Sequence, residues 1–89
     1  MTEDQIAKAI AKYDALLQKA GVSPARYPSE KLSPQGSEAL SHARWMCQEA
    51  VGSLNKGEKD KAMRWLCFIQ GVLWMTGTSN IDGLRDDNR

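Results

Sequence analysis

RWLCFIQGVLWMTG, residues 64–77, places two tryptophans, a phenylalanine and a run of aliphatics in one segment that ends in glycine. Projected at 100° per residue, the segment predicts a helix over about 58–76, stopped by Gly77. Ala62, Leu66, Ile69 and Leu73 form one stripe, with Trp65 and Val72 at its edge. One stripe suffices for a helix lying on the surface of a domain. Here Met63, Cys67, Gln70 and Trp74 form a second stripe roughly 110° away, and Phe68 and Met75 lie on a third side beside Gly71. A helix that is apolar nearly all round is either central to its own domain or shared with another chain. Gly71 fits both situations, because a mid-helix glycine makes room for a neighbouring backbone or for a neighbouring indole.

The preceding stretch supplies the nearest partner. Leu40, Ala43, Cys47, Ala50 and Leu54 recur at spacings of three and four, predicting a second helix over about 37–54 that starts near Ser33-Pro34 or Ser37. The connection Asn55-Lys56-Gly57 is so short that the third helix must return antiparallel to the second. Trp45 falls almost opposite the apolar stripe of the second helix, beside His42, Glu49 and Gly52. It is either an anchor for a partner or a residue that the first helix or the connector folds over.

Further out, Thr2 and Gln5 have the spacing of a capping box, and Ile6, Ile10, Tyr13, Leu17 and Ala20 trace the stripe of a first helix over about 3–20. Gly21 followed by Val22 fits its C-cap. All three prolines fall in 21–36, an irregular connector with a single turn expected at Ser23-Pro24 and with Tyr27 and Leu32 pinning it to the body. After Gly77, residues 79–86 can form a short turn of helix capped by Thr78 or Ser79, with Ile81 and Leu84 inward and the last polar residues frayed. The expected fold is therefore all-α: one small three-helix domain, 1–89, built on an antiparallel hairpin.

Composition narrows function by exclusion. The chain has 12 Lys and Arg against 11 Asp and Glu, a formal net charge of +1, so it has no general field to draw a polyanion and nucleic-acid binding is disfavoured. The most apolar run is about half the roughly 20 residues that span a bilayer. Cys47 and Cys67 sit among apolar neighbours and read as buried free thiols of a reducing compartment. Acidic residues stand in MTEDQIAKAI where a secretory leader carries basic ones, so the expected location is the cytoplasm. His42, the one histidine, lies five positions from Cys47 and about 140° round the helix, so the two make no base and nucleophile pair. The cysteine and histidine spacings match no zinc pattern and the glycines cradle no phosphate, so neither metal nor cofactor is expected. Lys56, Lys59, Lys61 and Arg64, interleaved with Glu58 and Asp60, are either an anion patch or a solvated face with helical ion pairs.

HARWMCQEA (42–50), with its W-M-C-x-E-A pattern, and K-A-x-R-W-L-x-F-I-Q-G-x-L-W (61–74), closed by a tail carrying Ile81, Leu84, Asp87 and Asn88, resemble small reading frames of tailed bacteriophages and prophages. Gly83 interrupts the tail and is expected to loosen its last turn. The resemblance implies an accessory phage product made in a bacterial host, and no particular reaction. Small phage proteins without catalytic residues commonly act by binding. The expected function is thus a non-enzymatic interaction protein, an inhibitor of a host or anti-phage defence protein that self-associates, with Trp45, Trp65, Phe68, Gly71, Trp74 and Met75 as interface candidates. The alternative is an oligomer that holds a signalling nucleotide, stacking it on Trp45 and holding its phosphate with cations such as Arg44 or Arg64.

Overall fold

The computed structural model describes all 89 residues. The chain is all-helical: α1 (Glu3–Lys19), α2 (Gly36–Asn55), α3 (Lys59–Met75) and a short α4 (Ile81–Asp87). The predicted stripes supply the core, except that Ala20 is exposed and Leu40 and Leu54 are only half-buried. Ile6, Ile10, Tyr13 and Leu17 of α1 meet Ala43, Met46, Cys47 and Ala50 of α2 and Ala62, Leu66, Ile69 and Leu73 of α3. The hairpin of α2 and α3 is the most extensive contact, and α1 packs across it. Ala43, Ala50 and Ala62 are fully buried, so these helices approach closely where the side chain is smallest.

Local chemistry sets the helix ends. Thr2 and Gln5 form the expected capping box, the Gln5 amide donating to Thr2 Oγ1 at 3.1 Å and the Thr2 amide to Gln5 Oε1 at 2.8 Å. The three long helices all stop in the same way. Gly21, Gly57 and Gly77 adopt φ of +81°, +76° and +75°, and the residue after each donates back into the last turn: Val22 to Leu17, Glu58 to Ser53 and Thr78 to Leu73. At its start, α2 departs from expectation, because neither Ser33 nor Ser37 is the cap. Gln35 is, its amide donating to Glu38 Oε1 at 2.9 Å.

The connector takes no helical turn at Ser23-Pro24. It lies along α2 instead, the Ala25 amide donating to the Ser41 carbonyl at 3.1 Å and the Tyr27 amide to His42 Nδ1 at 2.9 Å. Tyr27 pins the connector as expected, but Leu32 is 87% exposed and pins nothing.

The C-terminal segment overturns four expectations. Its cap is Asn80, whose Oδ1 accepts from the Gly83 amide at 2.8 Å. Gly83 supports this turn and does not loosen it: a Cβ there would stand 3.2 Å from Asn80 Oδ1, crowding the cap. Leu84 points inward, but Ile81 stays half-exposed. The final polar residues are tied down. Lys12 Nζ donates to Asp87 Oδ1 at 2.6 Å and the Tyr13 hydroxyl to Asp87 Oδ2 at 2.7 Å. Gln70 Nε2 donates to Tyr13 Oη at 3.0 Å and to Asn88 Oδ1 at 2.7 Å. Gln70, read in the sequence as part of an apolar stripe, is thus a buried polar bracket joining α1, α3 and the end of α4.

This bracket has a pH signature. Burial alone raises the Asp87 carboxyl, but the hydrogen bonds from Lys12 and Tyr13 and the Lys12 charge outweigh it and hold the group below its ordinary value. A carboxyl depressed on folding contributes stability above its unfolded value, about 4, and that stability is lost as pH falls through the folded value. Asp87→Asn is therefore expected to lower the melting temperature at neutral pH and to converge on the wild type in acid. Thermal melts at both pH values check this, and a gap of constant size would remove Asp87 as the titrating group.

Candidate functional site

Two sides of α3 are covered by its own chain, and the third is not. Ile69, Leu66 and Leu73 face the α1/α2 core, and Gln70 faces α4. Phe68 is 60%, Trp74 51% and Met75 75% exposed. Gly71, between them, is exposed, and apart from its own helical backbone and chain neighbours no atom lies within 4 Å of where a Cβ would stand. It therefore makes no room for any group of its own chain. An open hollow of about 730 Å³ runs along this face, floored by Phe68, Gly71, Val72, Trp74 and Met75 and walled by Pro34, Gly36 and Ala39 at the start of α2.

Beyond Phe68 the face continues into a second depression of about 360 Å³ beneath the connector. Here the structure brings together residues that the sequence scatters. His42 and Trp45 lie with ring centroids 5.2 Å apart, Trp45 meets Trp65 perpendicularly at 6.0 Å, and Phe68 stands edge-on to His42 at 6.4 Å. These separations are in the range of favourable aromatic pairs. The Arg26 guanidinium lies over the Trp45 ring, its Cζ 5.5 Å from the centroid. Trp45 is thus half-buried under the connector and packed on the core, not a free anchor on a polar face. Trp65 is half-buried too, with its Nε1 enclosed and without an acceptor.

His42 has a structural task. Its Nδ1 accepts from the Tyr27 amide, so the neutral ring carries its proton on Nε2. Burial first, and the Arg26 charge second, pull its pKa below the ordinary imidazole value, which keeps it neutral. Cys47 is buried in the core and its thiol is pushed up to about 12, chiefly by burial, so it is no nucleophile at neutral pH. Cys67 corrects the sequence reading: it lies on the uncovered side of α3 and is exposed.

The proposed anion contacts do not assemble. Arg44 is spent inside the protein, its Nε donating to Asp14 Oδ1 at 3.2 Å and its Nη1 to the Val22 carbonyl at 2.8 Å, where it ties the end of α1 to α2. Lys56, Lys59, Lys61 and Arg64 are exposed and join none of the ion pairs. Lys59 and Lys61 point to nearly opposite sides of α3, being about 200° apart. The cations that do reach the aromatic depression are Arg26 and Lys31 of the connector, neither of them singled out by the sequence. The available signal was an Arg-Tyr-Pro step in a proline-rich segment facing a helix that carries His42 and Trp45.

No group of three or more His, Cys, Asp or Glu is placed to hold a metal ion. No helix is long and apolar enough to cross a membrane. Comparison with family models, with curated proteins and with solved structures gives no significant match.

Proposed function

We propose that this chain is a non-enzymatic binding protein that pairs with a second copy of itself through the uncovered face of α3. The observation that carries the reading is the exposed set Phe68, Trp74 and Met75 around an open Gly71. Phe68 and Trp74 are equally distant in sequence from Gly71. A two-fold axis at Gly71, with α3 antiparallel to its copy, therefore lays Phe68 of each chain against Trp74 of the other, the self-complementarity that a two-fold interface requires. The three large side chains expose roughly 400–500 Å² per chain, so a pair that buried them would enclose close to the ~1,000 Å² of a specific interface.

The absence of a base and nucleophile pair around His42 and the protonated state of Cys47 support a role by binding. The likeness of residues 42–50 and 61–74 to phage reading frames supports reading that role as an accessory one in a bacterial cytoplasm, directed at a host or anti-phage defence protein. Light scattering behind a sizing column tests the pairing. The wild type is expected to show at least a dimer mass at micromolar concentration. Trp74→Glu is expected to show a monomer with unchanged helical circular dichroism, because a carboxylate there has no partner in the paired face. A monomeric wild type overturns the pairing.

A further inference from the structure

We infer that the depression between the connector and α2/α3 is a binding site for a small planar aromatic anion of the mononucleotide class. The inference goes beyond self-association and does not depend on it. At about 360 Å³ the depression lies at the low end of small-molecule sites, which run from about 300 to 1,000 Å³. That volume suits one base with one phosphate and not a dinucleotide.

Its two ends differ in chemistry. The floor is aromatic, formed by Trp45, Trp65 and Phe68, with His42 between them. Phe68, 60% exposed in the single chain, offers a stacked ring a face that stays free as long as α3 is unpaired. The rim carries Arg26 and Lys31, and no carboxylate lines any part of the depression. Neither side chain belongs to an ion pair. In a chain of nearly balanced charge, two unneutralised cations beside an aromatic floor are a local departure that an anion would complement.

Arg26 is also preorganised. Lying over the Trp45 ring, its planar guanidinium has already given up part of its rotational freedom, and its N–H groups remain available for two phosphate or carboxylate oxygens. The Tyr27 amide bonded to His42 Nδ1 anchors the connector one residue from Arg26, so the cation is held at the rim by backbone as well as by stacking. The sequence-level idea of a nucleotide bound between subunits by Arg44 or Arg64 is replaced, because Arg44 is consumed by Asp14 and Val22 and Arg64 does not line this depression.

Calorimetric titration of the full chain, and of its Trp74→Glu variant in which α3 is unpaired, with adenosine 5′-monophosphate, adenosine and inorganic phosphate tests the site. The monophosphate is expected to bind once per chain, and adenosine or phosphate alone about tenfold or more weakly, because each engages only one end. Arg26→Gln, with unchanged circular dichroism and melting temperature, is expected to weaken the monophosphate about tenfold, and Lys31→Gln by less. Four outcomes overturn the proposal. They are no binding of the monophosphate at millimolar concentration, equal binding of adenosine, equal binding of phosphate, or undiminished binding by folded Arg26→Gln.

Discussion

Tyr13→Ala is expected to remove about 4 kcal/mol of stability, close to the whole margin of a domain this small, which is about 5 kcal/mol or a little more. Tyr13 is 1% exposed and is the largest fully buried side chain of α1. Truncation leaves a ring-sized void between α1 and α3, and in a close-packed interior the surroundings collapse only in part. It also strips Asp87 Oδ2 of a donor and Gln70 Nε2 of an acceptor. Tyr13→Phe separates the two effects. It keeps the ring and removes the hydroxyl, so its expected cost is about 1–2 kcal/mol, that of two buried or half-buried polar partners left short of a bond. Urea denaturation followed by circular dichroism measures both. If Tyr13→Phe costs as much as Tyr13→Ala, the bracket rather than the packing dominates. If Tyr13→Ala stays within about 1 kcal/mol of the wild type, the core assignment fails.

Ile69→Ala and Phe68→Ala form the second comparison, two adjacent positions on α3 with opposite expected outcomes. Ile69 is fully buried against α1 and α2, so losing three carbon atoms there costs about 2–5 kcal/mol, the transfer term plus the residual cavity. Phe68 is the larger side chain, yet it is mostly exposed in the single chain. Its truncation is expected to change the stability of the isolated chain by about 0.5 kcal/mol or less and to act on association. Melts at low and high protein concentration distinguish the two. The Ile69→Ala deficit persists at every dilution, whereas the Phe68→Ala deficit grows with concentration, because pairing stabilises the wild type by mass action. A large Phe68→Ala deficit at high dilution would mean that the ring is needed by its own chain.

The pairing and the ligand site share Phe68, which belongs to both hollows. Occupancy of the aromatic depression and closure of the α3 face are therefore adjacent events on one helix. The variants keep them apart: of these two hollows, Trp74 lines only the one on the pairing face and Arg26 only the aromatic depression.

The elements were legible because their signals are local. The period of Ile6, Ile10, Tyr13 and Leu17, the capping box at Thr2 and the glycines at 21, 57 and 77 depend only on neighbours within one or two turns, and each appears where its chemistry places it. The surplus of Phe68, Trp74 and Met75 over what three helices can cover was equally readable, since it follows from counting faces on one helix. What the periodicity could not assign was the partner of each polar group. Gln70 stood in an apolar stripe, Asp87 and Asn88 in a tail expected to fray, and Tyr13 among aliphatics, yet the three elements meet in one hydrogen-bonded bracket. Arg44 looked free, and Asp14 lies 30 residues away.

Sequence alone thus determined the helices, their order and the antiparallel hairpin, because helix formation, capping and short turns are governed by contacts between near neighbours. Only the tertiary structure decided that Trp45 lies beneath the connector, that Cys67 is exposed, and that Arg26 and Lys31 rather than Arg44 and Arg64 border the aromatic floor. Those placements depend on where an irregular proline-rich segment settles. That segment follows no period, and its path is set by a few long-range bonds, the Ala25 amide to Ser41 and the Tyr27 amide to His42, that exist only once α2 has formed.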